Sequence, residues 1–315
     1  MNRIALVTGA EGFIGSHLVK FLQGKGWNVI GGCRPHGSYP KARNLHFVQC
    51  DLRNGQRVSQ IINEYQPTHI FHLGAQSLPT VSWADAFETF ESNIMGSLNL
   101  FEAVRHMKRP SVIVSACSSA EYGPVQPSAI PVTEDQPLHP MHPYGISKVC
   151  LDLLSREYFL DYKIPAVTIR LFNTTGPGKT EDAPSDFVRR LIRIKKGLQP
   201  PVIEVGNLKP RRAFLDVSDT VRGFYLAAMK GRRGEAYNLC ASGTNSIGDL
   251  LRTAIRLSGV KAEIKPVAHL MRPSDEKIIF GSTEKIRKQT GWKPIRSIEE
   301  TLASMLQYWD TIITS

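Results

Sequence analysis

The chain has 315 residues, of which 42% are hydrophobic and 21% charged, and this composition excludes both a disordered chain and a small module stapled by disulfides or metal. The formal net charge of +11 favours an anionic ligand, although solvated surface charge gives the same balance. The basic residues are dispersed and form no basic-aromatic array, so the sequence argues against nucleic-acid binding.

From the N-terminus onward, short apolar runs alternate with amphipathic runs. The first five are IALVTG, FIGSHLVKFLQGKG, WNVIGGCR, RVSQIINEYQ and HIFHLGA, and their periodicities predict a β-α-β-α-β order. A long helix near FETFESNIMGSLNLFEAVRH, a strand at SVIVSA, a helix from near Tyr144 and a strand at PAVTIRLF continue the pattern. We therefore predict an α/β protein with a Rossmann doubly wound parallel sheet.

The alternation loosens beyond GPGKTEDAPSD. A helix at FVRRLIRIKKG and an isolated strand at VIEVG predict a smaller C-terminal α/β domain over residues 176–315, after a first domain over residues 1–175. YNLCA has the pattern of a strand, so we expect a segment near residues 215–240 to return to the first domain.

The sequence gives no sign of a metal site, a disulfide framework or a membrane span. The five cysteines are scattered and form no C-x-x-C pair, so we expect all of them to be structural. No apolar run approaches the roughly 20 residues that a bilayer span needs. The opening MNRIALVTG enters a strand pattern directly, without a cleavage site, and we expect a cytoplasmic protein.

A glycine-rich loop, T-G-A-E-G-F-I-G, joins the first strand to the first helix. Its first glycine suits a sharp turn, its second suits the close approach of a pyrophosphate, and its third lets helix and strand pack closely. The helix N-terminus adds partial positive charge for the phosphates. This position in a βαβ unit favours a dinucleotide site over a plain tight turn. The candidate cofactor-binding residues here are Thr8, Gly9, Gly12, Phe13, Ile14 and Gly15.

The second strand, WNVIGGCR, ends where the adenosine ribose of a dinucleotide lies, and NAD enzymes place Asp or Glu there. Here Arg34 stands at the strand end, where it can pair with a 2′-phosphate without a carboxylate to repel that group. We therefore favour NADP(H) as the cofactor. NAD(H) is the alternative if Arg34 is only a surface residue. Residues after the next two strands are further candidates for the cofactor site: Asp51, Leu52, Leu73, Gly74 and Ala75.

The motif Y-G-I-S-K places Tyr144 and Lys148 four residues apart, on one face of a helix. We expect the Lys148 ammonium to lower the pKa of the Tyr144 phenol toward neutral pH. Such a phenol exchanges a proton with a hydroxyl or carbonyl oxygen while hydride moves to or from a nicotinamide. Ser118, at the end of the strand SVIVSA, is placed to hydrogen-bond the same oxygen, although a serine there also suits a helix cap. Ser118, Tyr144 and Lys148 are the candidate catalytic residues, and the last two also belong to the cofactor site.

Together these motifs resemble the extended short-chain dehydrogenase/reductase family, which contains nucleotide-sugar epimerases, dehydratases and reductases. R-L-F-N at 170–173 and R-x-F-x-x-V-x-D at 212–219 also look like this family. The resemblance implies that the first domain binds NAD(P) and that the C-terminal domain binds a nucleoside-diphosphate sugar. It also implies a homodimer, formed as a four-helix bundle by the helix after Ala84 and the helix carrying Tyr144.

A narrower resemblance points to the branch that handles GDP-mannose derivatives. It rests on F-N-T-T-G-P-G, V-G-N-L-K-P-R-R, R-P-S-D and T-G-W-K-P, and it makes a GDP-sugar the expected substrate. Arginine forks in these motifs suit a diphosphate, although each also suits a salt bridge between domains. The residues that this resemblance assigns to substrate binding are Ser119, Asn173, Val205, Asn207, Arg212, Arg272 and Asp275.

Two departures from this branch bear on the reaction. The dehydratases carry a glutamate base where this chain has Ala120, and we expect Glu121 to be a poor substitute because neighbouring side chains of an extended segment point to opposite sides. Ala213 replaces a usual aspartate, with no clear consequence. We therefore predict a reductase that forms GDP-D-rhamnose or a related GDP-deoxysugar. A 4-epimerase is the first alternative, a GDP-mannose 4,6-dehydratase the second, and a non-catalytic NADP-binding protein the third.

Overall fold

The computed structural model describes residues 3–34, 44–271 and 278–314 and divides the chain into two compact units. The first unit comprises Met1–Leu171, Val221–Leu239 and Ser282–Trp292. The second comprises Phe172–Thr220, Cys240–Gly281 and Lys293–Ser315. Arg272 and Asp275, two of the substrate-binding candidates, lie outside the described residues.

The secondary-structure elements follow the alternation of the sequence. The strands are β1 (Ile4–Thr8), β2 (Asn28–Cys33), β3 (Leu45–Gln49), β4 (His69–His72), β5 (Val112–Ser118), β6 (Ala166–Leu171), β7 (Thr174–Thr175), β8 (Val202–Val205), β9 (Arg211–Arg212), β10 (Leu215–Asp216), β11 (Ala236–Leu239), β12 (Asn245–Ser246), β13 (Glu263–Pro266) and β14 (Ile278–Ile279). The α-helices are α1 (Phe13–Gly24), α2 (Gly55–Tyr65), α3 (Pro79–Ala84), α4 (Ala86–Phe90), α5 (Gly96–Arg105), α6 (Pro143–Tyr162), α7 (Ala183–Lys195), α8 (Val217–Lys230), α9 (Ile247–Ser258), α10 (Glu284–Thr290) and α11 (Ile298–Ile312).

The first unit is built on a parallel sheet with the strand order β11-β6-β5-β4-β1-β2-β3. The central part of this order is that of a doubly wound Rossmann sheet, so the predicted fold class is confirmed. Strand β1 pairs with β2 and β4, which places Thr8 opposite Gly32 and His72. The carboxyl ends of parallel strands meet at one edge of the sheet, and β1, β4 and β5 deliver Thr8, His72 and Ser118 to that edge.

Helices cover the sheet because its strands are apolar on both faces. On one face, Leu6 and Ile70 of the sheet pack in a buried cluster with Ile61 of α2 and Leu100 of α5. Strand β11 extends the sheet by pairing with β6, so chain from beyond residue 220 belongs to the first unit. Helix α10 packs beside this strand.

The predicted continuous helix around Asn93 is interrupted. Helix α4 ends at Phe90, a single π-helical turn covers Glu91–Met95, and α5 begins at Gly96. A π turn widens the helix locally and frequently occurs at functional sites. Here the turn contains Asn93, which is buried in the first unit.

The second unit has its own core and smaller sheets. Helices α7, α9 and α11 enclose this core. They contribute Phe187, Leu251 and Leu302, respectively, to the same buried cluster as Ile203 of β8. Its strands form the pairs β10-β7 and β13-β8 and the three-stranded sheet β12-β9-β14. None of the helices in the described part of the chain combines the length and apolar character that crossing a membrane requires.

Candidate active site

Two positions of the glycine-rich loop after β1, Gly9 and Gly15, leave no room for a side chain. Gly9 has a φ of +66°, and a Cβ atom there would lie 2.9 Å from the Cα atom of Gly74. A Cβ atom at Gly15 would lie 2.1 Å from the carbonyl oxygen of Gly9, whereas one at the exposed Gly12 would lie 3.2 Å from it. Because no side chain of the described residues caps the backbone N–H groups at this helix N-terminus, the loop suits the pyrophosphate of a dinucleotide.

Thr8 is a buried residue at the end of β1 whose hydroxyl group holds neighbouring segments in place. Its side chain is buried, and Oγ1 accepts hydrogen bonds from the backbone N–H groups of Leu73 at 3.1 Å and Gly74 at 2.9 Å. The same oxygen lies 2.9 Å from Nδ1 of His72. Thr8 therefore joins the end of β1 to the segment after β4, which runs on to the half-buried Ala75. In this arrangement Thr8 positions the loops, and its hydroxyl is already fully engaged.

Arg34 has a carboxylate beside it, contrary to the expectation from the sequence. Glu11, in the glycine-rich loop, accepts the backbone N–H of Arg34 at 3.1 Å and lies 3.4 Å from its Nε atom. The Arg34 side chain is 85% exposed. The end of β2 itself carries no acidic residue, but the loop after β1 brings a carboxylate to this point from 23 residues earlier in the chain.

The residues after β3 divide into a surface residue and a core residue. Asp51 is half-buried, and Arg53 binds its carboxylate through Nε at 3.0 Å and Nη2 at 2.7 Å. This hydrogen bonding holds the pKa of Asp51 below its ordinary value. The side chain of Leu52 is buried in the apolar cluster, so only its backbone is available to a ligand. The Leu52 carbonyl oxygen already accepts Nδ2 of Asn99 at 2.9 Å.

Strand β5 ends in a single 3-10 turn, Ser119–Glu121, and not in the extended segment that we predicted. Oγ of Ser118 accepts the N–H of Ala120 at 3.2 Å, and the carboxyl group of Glu121 accepts the N–H of Ser118 at 2.7 Å. This reciprocal pair of bonds, a capping box, favours the turn over continued strand. Ser119 is half-buried, and its carbonyl oxygen accepts the N–H of Tyr122.

Helix α6 begins close to this turn. Nδ1 of His142 caps the helix by accepting the N–H of Gly145 at 2.9 Å. A Cβ atom at Gly145 would lie 2.9 Å from the carbonyl oxygen of Ala120, so glycine permits the close approach of helix and turn. Lys148, four residues after Tyr144, is buried and donates from Nζ to the carbonyl oxygen of Ala116 at 2.8 Å. The fold thus brings Ser118, Tyr144 and Lys148 together within the first unit.

The pKa of Tyr144 moves in the direction opposite to our expectation. Burial raises it to about 12, a hydrogen bond with the side chain of Ser118 opposes that rise, and the charge of Glu121 adds to it. Nζ of Lys148 lies 5.8 Å from the centre of the Tyr144 ring, and its charge does not offset burial. Burial also lowers the pKa of Lys148 itself. Without bound ligands, the phenol is therefore protonated at neutral pH.

A buried charged cluster lies beneath Ser118, and the sequence analysis did not identify it. Nε of Arg170, on β6, lies 2.7 Å from Oδ2 of Asp152 on α6 and 3.5 Å from Oε2 of Glu121. All three side chains are buried. Glu121 is therefore turned toward the interior of the first unit and, like Ala120, offers no base at the protein surface.

Asn93 is a second residue that the sequence analysis missed. Its Nδ2 atom donates to Oγ of Ser147, inside the Y-G-I-S-K motif, at 3.0 Å and to the carbonyl oxygen of Gln76 at 2.9 Å. Oδ1 accepts the N–H of Gln76 at 2.7 Å. Asn93 thereby fixes the start of α6 against the segment after β4. An amide on the apolar face of a predicted helix was the available signal, because buried polar groups require partners.

The substrate-binding candidates of the second unit lie in different surroundings. Asn173 is exposed, and Oδ1 of the half-buried Asn207 accepts the N–H of Lys209 at 3.0 Å. Arg212 is half-buried on β9, where Nη1 donates to the carbonyl oxygen of Arg211 at 2.9 Å. The side chain of Val205 is buried in the core of this unit, because it is an inward-facing residue of β8, so only its backbone is available to a ligand.

Two further features concern metal binding and Ala213. In residues 3–34, 44–271 and 278–314, no three His, Cys, Asp or Glu side chains are grouped as metal ligands. Ala213 is fully buried between β9 and β10, where the aspartate usual in the GDP-mannose branch would need a buried partner for its charge.

Comparison with known proteins identifies relatives over nearly the whole chain. A family model described as GDP-mannose 4,6 dehydratase matches residues 6–305. GDP-6-deoxy-D-mannose reductase of Pseudomonas aeruginosa is 27% identical over 312 residues, which cover 99% of this chain and 98% of the relative.

Two solved structures have similar folds. RMD from Pseudomonas aeruginosa, complexed with NADPH, has a TM-score of 0.87 at 26% identity and covers 99% of this chain and 100% of its own. UDP-glucose 4-epimerase of Thermus thermophilus, complexed with NAD, has a TM-score of 0.85 at 27% identity and covers 98% of this chain and 100% of its own. The relatives thus include a reductase and an epimerase, with different dinucleotides.

Proposed function

Because the chain belongs to the GDP-mannose 4,6-dehydratase family of extended short-chain dehydrogenases/reductases, as its motifs predicted, we propose that this NAD(P)-dependent nucleotide-sugar enzyme is a reductase. Its substrate is a GDP-4-keto-6-deoxy-D-mannose-type sugar, and its product is GDP-D-rhamnose or a related GDP-deoxysugar. The observation that carries this proposal is the placement of Tyr144 beside Ser118 and Lys148, with burial raising the pKa of the phenol so that it carries a proton.

The protonated phenol of Tyr144 can act as the acid that reduction of a keto group requires. A carbonyl oxygen gains negative charge as hydride reaches its carbon, and a neighbouring acid must then supply a proton. With its pKa raised to about 12, Tyr144 carries that proton at neutral pH. The hydroxyl of Ser118, which lies near the phenol, would orient the keto oxygen toward it. A reaction that begins with oxidation of a sugar hydroxyl instead needs the phenolate as a base.

Lys148 supports the same step from the interior. Its bond to Ala116 directs the ammonium toward the end of β5, near the phenol. There it stabilises the phenolate that remains after proton donation. Bound NADPH would supply the hydride. The glycine-rich loop would hold the pyrophosphate, and Lys148 would bind the nicotinamide ribose, as the family resemblance implies.

Ala120 disfavours dehydration. A dehydratase of this family needs a base that removes a proton from the sugar, and the methyl group of Ala120 cannot do so. Glu121 does not replace that base, because its carboxyl group is fully buried and bonded to the backbone of Ser118.

The proposed cofactor is NADP(H), and NAD(H) is the alternative. Arg34, at the end of β2, offers a guanidinium to a 2′-phosphate, and a relative of similar fold was solved with NADPH. Glu11 opposes this preference, because its carboxylate already pairs with Arg34. In the second unit, Arg212, Asn173 and Asn207 are proposed to contact the GDP-sugar, as are Arg272 and Asp275.

A 4-epimerase is the second candidate. It would use the same three catalytic residues, and a UDP-glucose 4-epimerase complexed with NAD is similar to this chain over 98% of its length. An epimerase retains its dinucleotide through oxidation and re-reduction, whereas a reductase consumes it. The fate of the cofactor therefore separates the two functions.

The test is to mix the purified protein with NADPH and GDP-4-keto-6-deoxy-D-mannose and to follow NADPH absorbance and the sugar product. We expect one NADPH to be consumed per alcohol formed. Tyr144→Phe should lower kcat by about 10² to 10⁴ and leave NADPH affinity unchanged. Tyr162→Phe, on the exposed C-terminal end of α6, is the matched control and should retain full activity. Interconversion of 4-epimers without net NADPH loss would instead identify an epimerase.

The expected homodimer also has physical support in the first unit. Ile146, Leu153 and Leu160 are exposed on α6 at intervals of seven residues, the spacing of an apolar seam between helices. Phe87, on α4, is 91% exposed, an unusual state for a large aromatic side chain. We propose that these side chains are covered by a second copy of the chain. Sedimentation should give a dimer for the wild type and a monomer for Leu153→Glu; a wild-type monomer would contradict the proposal.

A further inference from the structure

Glu121 is a buried ionisable residue that the proposed reaction does not use directly. It is fully buried at the end of the 3-10 turn after β5, and Oε1 accepts the N–H of Ser118 at 2.7 Å. An apolar side chain would fill this interior position without introducing a charge. A carboxyl group is costly there, since burial disfavours its ionised form.

The groups around Glu121 explain how the carboxyl group is tolerated. Oε2 of Glu121 is buried without a hydrogen-bond partner among the described groups, and Nε of Arg170 lies 3.5 Å from it. Burial and the nearby charge of Asp152 both disfavour the ionised form of Glu121, so its carboxyl group holds a proton at neutral pH. Arg170 neutralises one negative charge, so Glu121, Asp152 and Arg170 form a neutral cluster as long as that proton stays bound.

The cluster is electrically linked to the candidate catalytic residues. Burial and the charge of Asp152 raise the pKa of Glu121 to about 8, whereas its bond to Ser118 and the charge of Arg170 oppose the rise. Ionised Glu121 in turn raises the pKa of both Tyr144 and Lys148. The titratable or charged groups that face Glu121 are Cys117 on β5, Tyr122 after the turn, Tyr144, Lys148 and Asp152 on α6, and Arg170 on β6.

From this geometry we propose that Glu121 is a positioning residue for the Ser118–Tyr144 pair, holding the Ser118 backbone and, through its own charge, setting how readily Tyr144 releases a proton. The proposal rests on the proposed function, in which Tyr144 donates that proton. With Glu121 protonated, Tyr144 is the stronger acid. When Glu121 loses its proton, the cluster gains a negative charge, the phenol holds its proton more tightly, and proton donation slows.

The test compares Glu121→Gln with the wild type, because glutamine keeps the shape and the acceptor oxygen for Ser118 but never ionises. The phenol of Tyr144 is titrated by ultraviolet difference spectroscopy, with Tyr144→Phe in each background as the reference. We expect the Tyr144 midpoint to be about 0.5 to 1 pH unit lower in Glu121→Gln than in the wild type. An equal or higher midpoint in Glu121→Gln would overturn the proposal.

A matched control separates this effect from the loss of any carboxylate near a tyrosine. The carboxyl group of Glu102 accepts a hydrogen bond from a different tyrosine of α6, Tyr158, which lies 14 residues beyond Tyr144 and therefore roughly 21 Å along the helix. Glu102→Gln should leave the Tyr144 midpoint at its wild-type value. A shift as large as that of Glu121→Gln would show that the coupling is not specific, and it would contradict the proposal.

The pH dependence of turnover gives a second readout. In the wild type, kcat should fall through an inflection near pH 8, where Glu121 ionises, and Glu121→Gln should lack this inflection. Glu121→Val, which removes the acceptor as well, should lower kcat about 10-fold at every pH. Circular dichroism confirms folding, and Glu121→Ala, which also removes the acceptor, replaces Glu121→Val if the latter does not fold. An inflection unchanged in Glu121→Gln would contradict the proposal.

The two proposals fail in distinguishable ways. If the wild type consumes no NADPH with a keto sugar, the proposed function fails, and the Tyr144 titration still shows whether Glu121 acts on the phenol. A second outcome is that the wild type is active while Glu121→Gln changes neither the Tyr144 titration midpoint nor the inflection of kcat with pH. In that case only the role of Glu121 fails.

Discussion

Lys148 is tied to the main sheet through Ala116: its Nζ atom donates to the Ala116 carbonyl oxygen at 2.8 Å, two residues before Ser118. This bond fixes helix α6 against strand β5 near the phenol of Tyr144 and the hydroxyl of Ser118. The bond fixes the position of the ammonium, whereas burial lowers the pKa of Lys148.

Replacing Lys148 tests this arrangement. Lys148→Met keeps the aliphatic side chain and removes the ammonium, so the phenolate formed during proton donation loses its stabilising charge. We expect kcat/KM to fall by about 100-fold or more. NADPH affinity, measured by fluorescence titration, should also weaken, because the ammonium is proposed to bind the nicotinamide ribose. Lys20→Met, at an exposed position of α1, serves as control, and equal activity of the two variants would contradict the role of Lys148.

The glycine-rich loop offers a matched pair of substitutions. A methyl group at Gly12 would occupy the exposed surface of the loop, 3.2 Å from the Gly9 carbonyl oxygen. Gly12→Ala should therefore weaken dinucleotide binding about 10-fold or more in a fluorescence titration. Gly24 is the last residue of helix α1, which begins directly after Gly12, and a Cβ atom at Gly24 would meet nothing within 4 Å. Gly24→Ala should keep wild-type affinity and stabilise the fold by about 0.5 to 1 kcal/mol in urea unfolding. Equal affinities for both variants would refute the pyrophosphate assignment.

The pairing of Glu11 with Arg34 predicts a change in cofactor preference. Glu11→Gln removes the charge that holds Arg34 and that would repel a 2′-phosphate, so NADPH affinity should rise about 10-fold relative to NADH. Arg34→Ala should weaken NADPH binding and leave NADH binding unchanged. Both dissociation constants can be measured by calorimetry without turnover. If neither substitution alters the NADPH to NADH ratio, these residues do not select the cofactor.

Burial of His72 predicts sensitivity to acid. Its ring nitrogens lie 2.9 Å from the hydroxyl oxygens of Thr8 and Ser97, and burial lowers the pKa of His72 from 6.5 to about 3. Between these values the unfolded chain binds a proton that the folded chain does not. The free energy of unfolding therefore decreases as the pH falls from 6.5 toward 3, by up to about 1.4 kcal/mol per pH unit from this group.

His72→Gln should remove that contribution. The variant is expected to be less stable than the wild type near neutral pH, because its amide cannot reproduce both bonds of the ring, and the difference should shrink as the pH falls. Urea unfolding across this range measures the effect. His46→Gln, at an exposed position on β3, should keep the wild-type pH dependence. A difference between His72→Gln and the wild type that stays constant with pH would exclude the proton linkage.

Much of the fold of the first unit was predictable because it depends on local periodicity. Short apolar strands and amphipathic helices bury their apolar faces in few ways, and the alternating order leads to a parallel sheet. The same locality applies to Tyr144 and Lys148, whose spacing along a helix places them on one face. The start of α6 and the end of β5 were located correctly for that reason.

What the sequence by itself determined was thus the order of the elements, the position of the glycine loop and the placement of Tyr144 and Lys148 on one face of a helix. Only the tertiary structure decided that Glu11 pairs with Arg34 and that Glu121 is buried against Asp152 and Arg170. It also reversed the expected direction of the Tyr144 pKa. The physical reason is that periodicity reports local backbone geometry, whereas a charge responds to burial and to groups that folding brings close from distant parts of the chain.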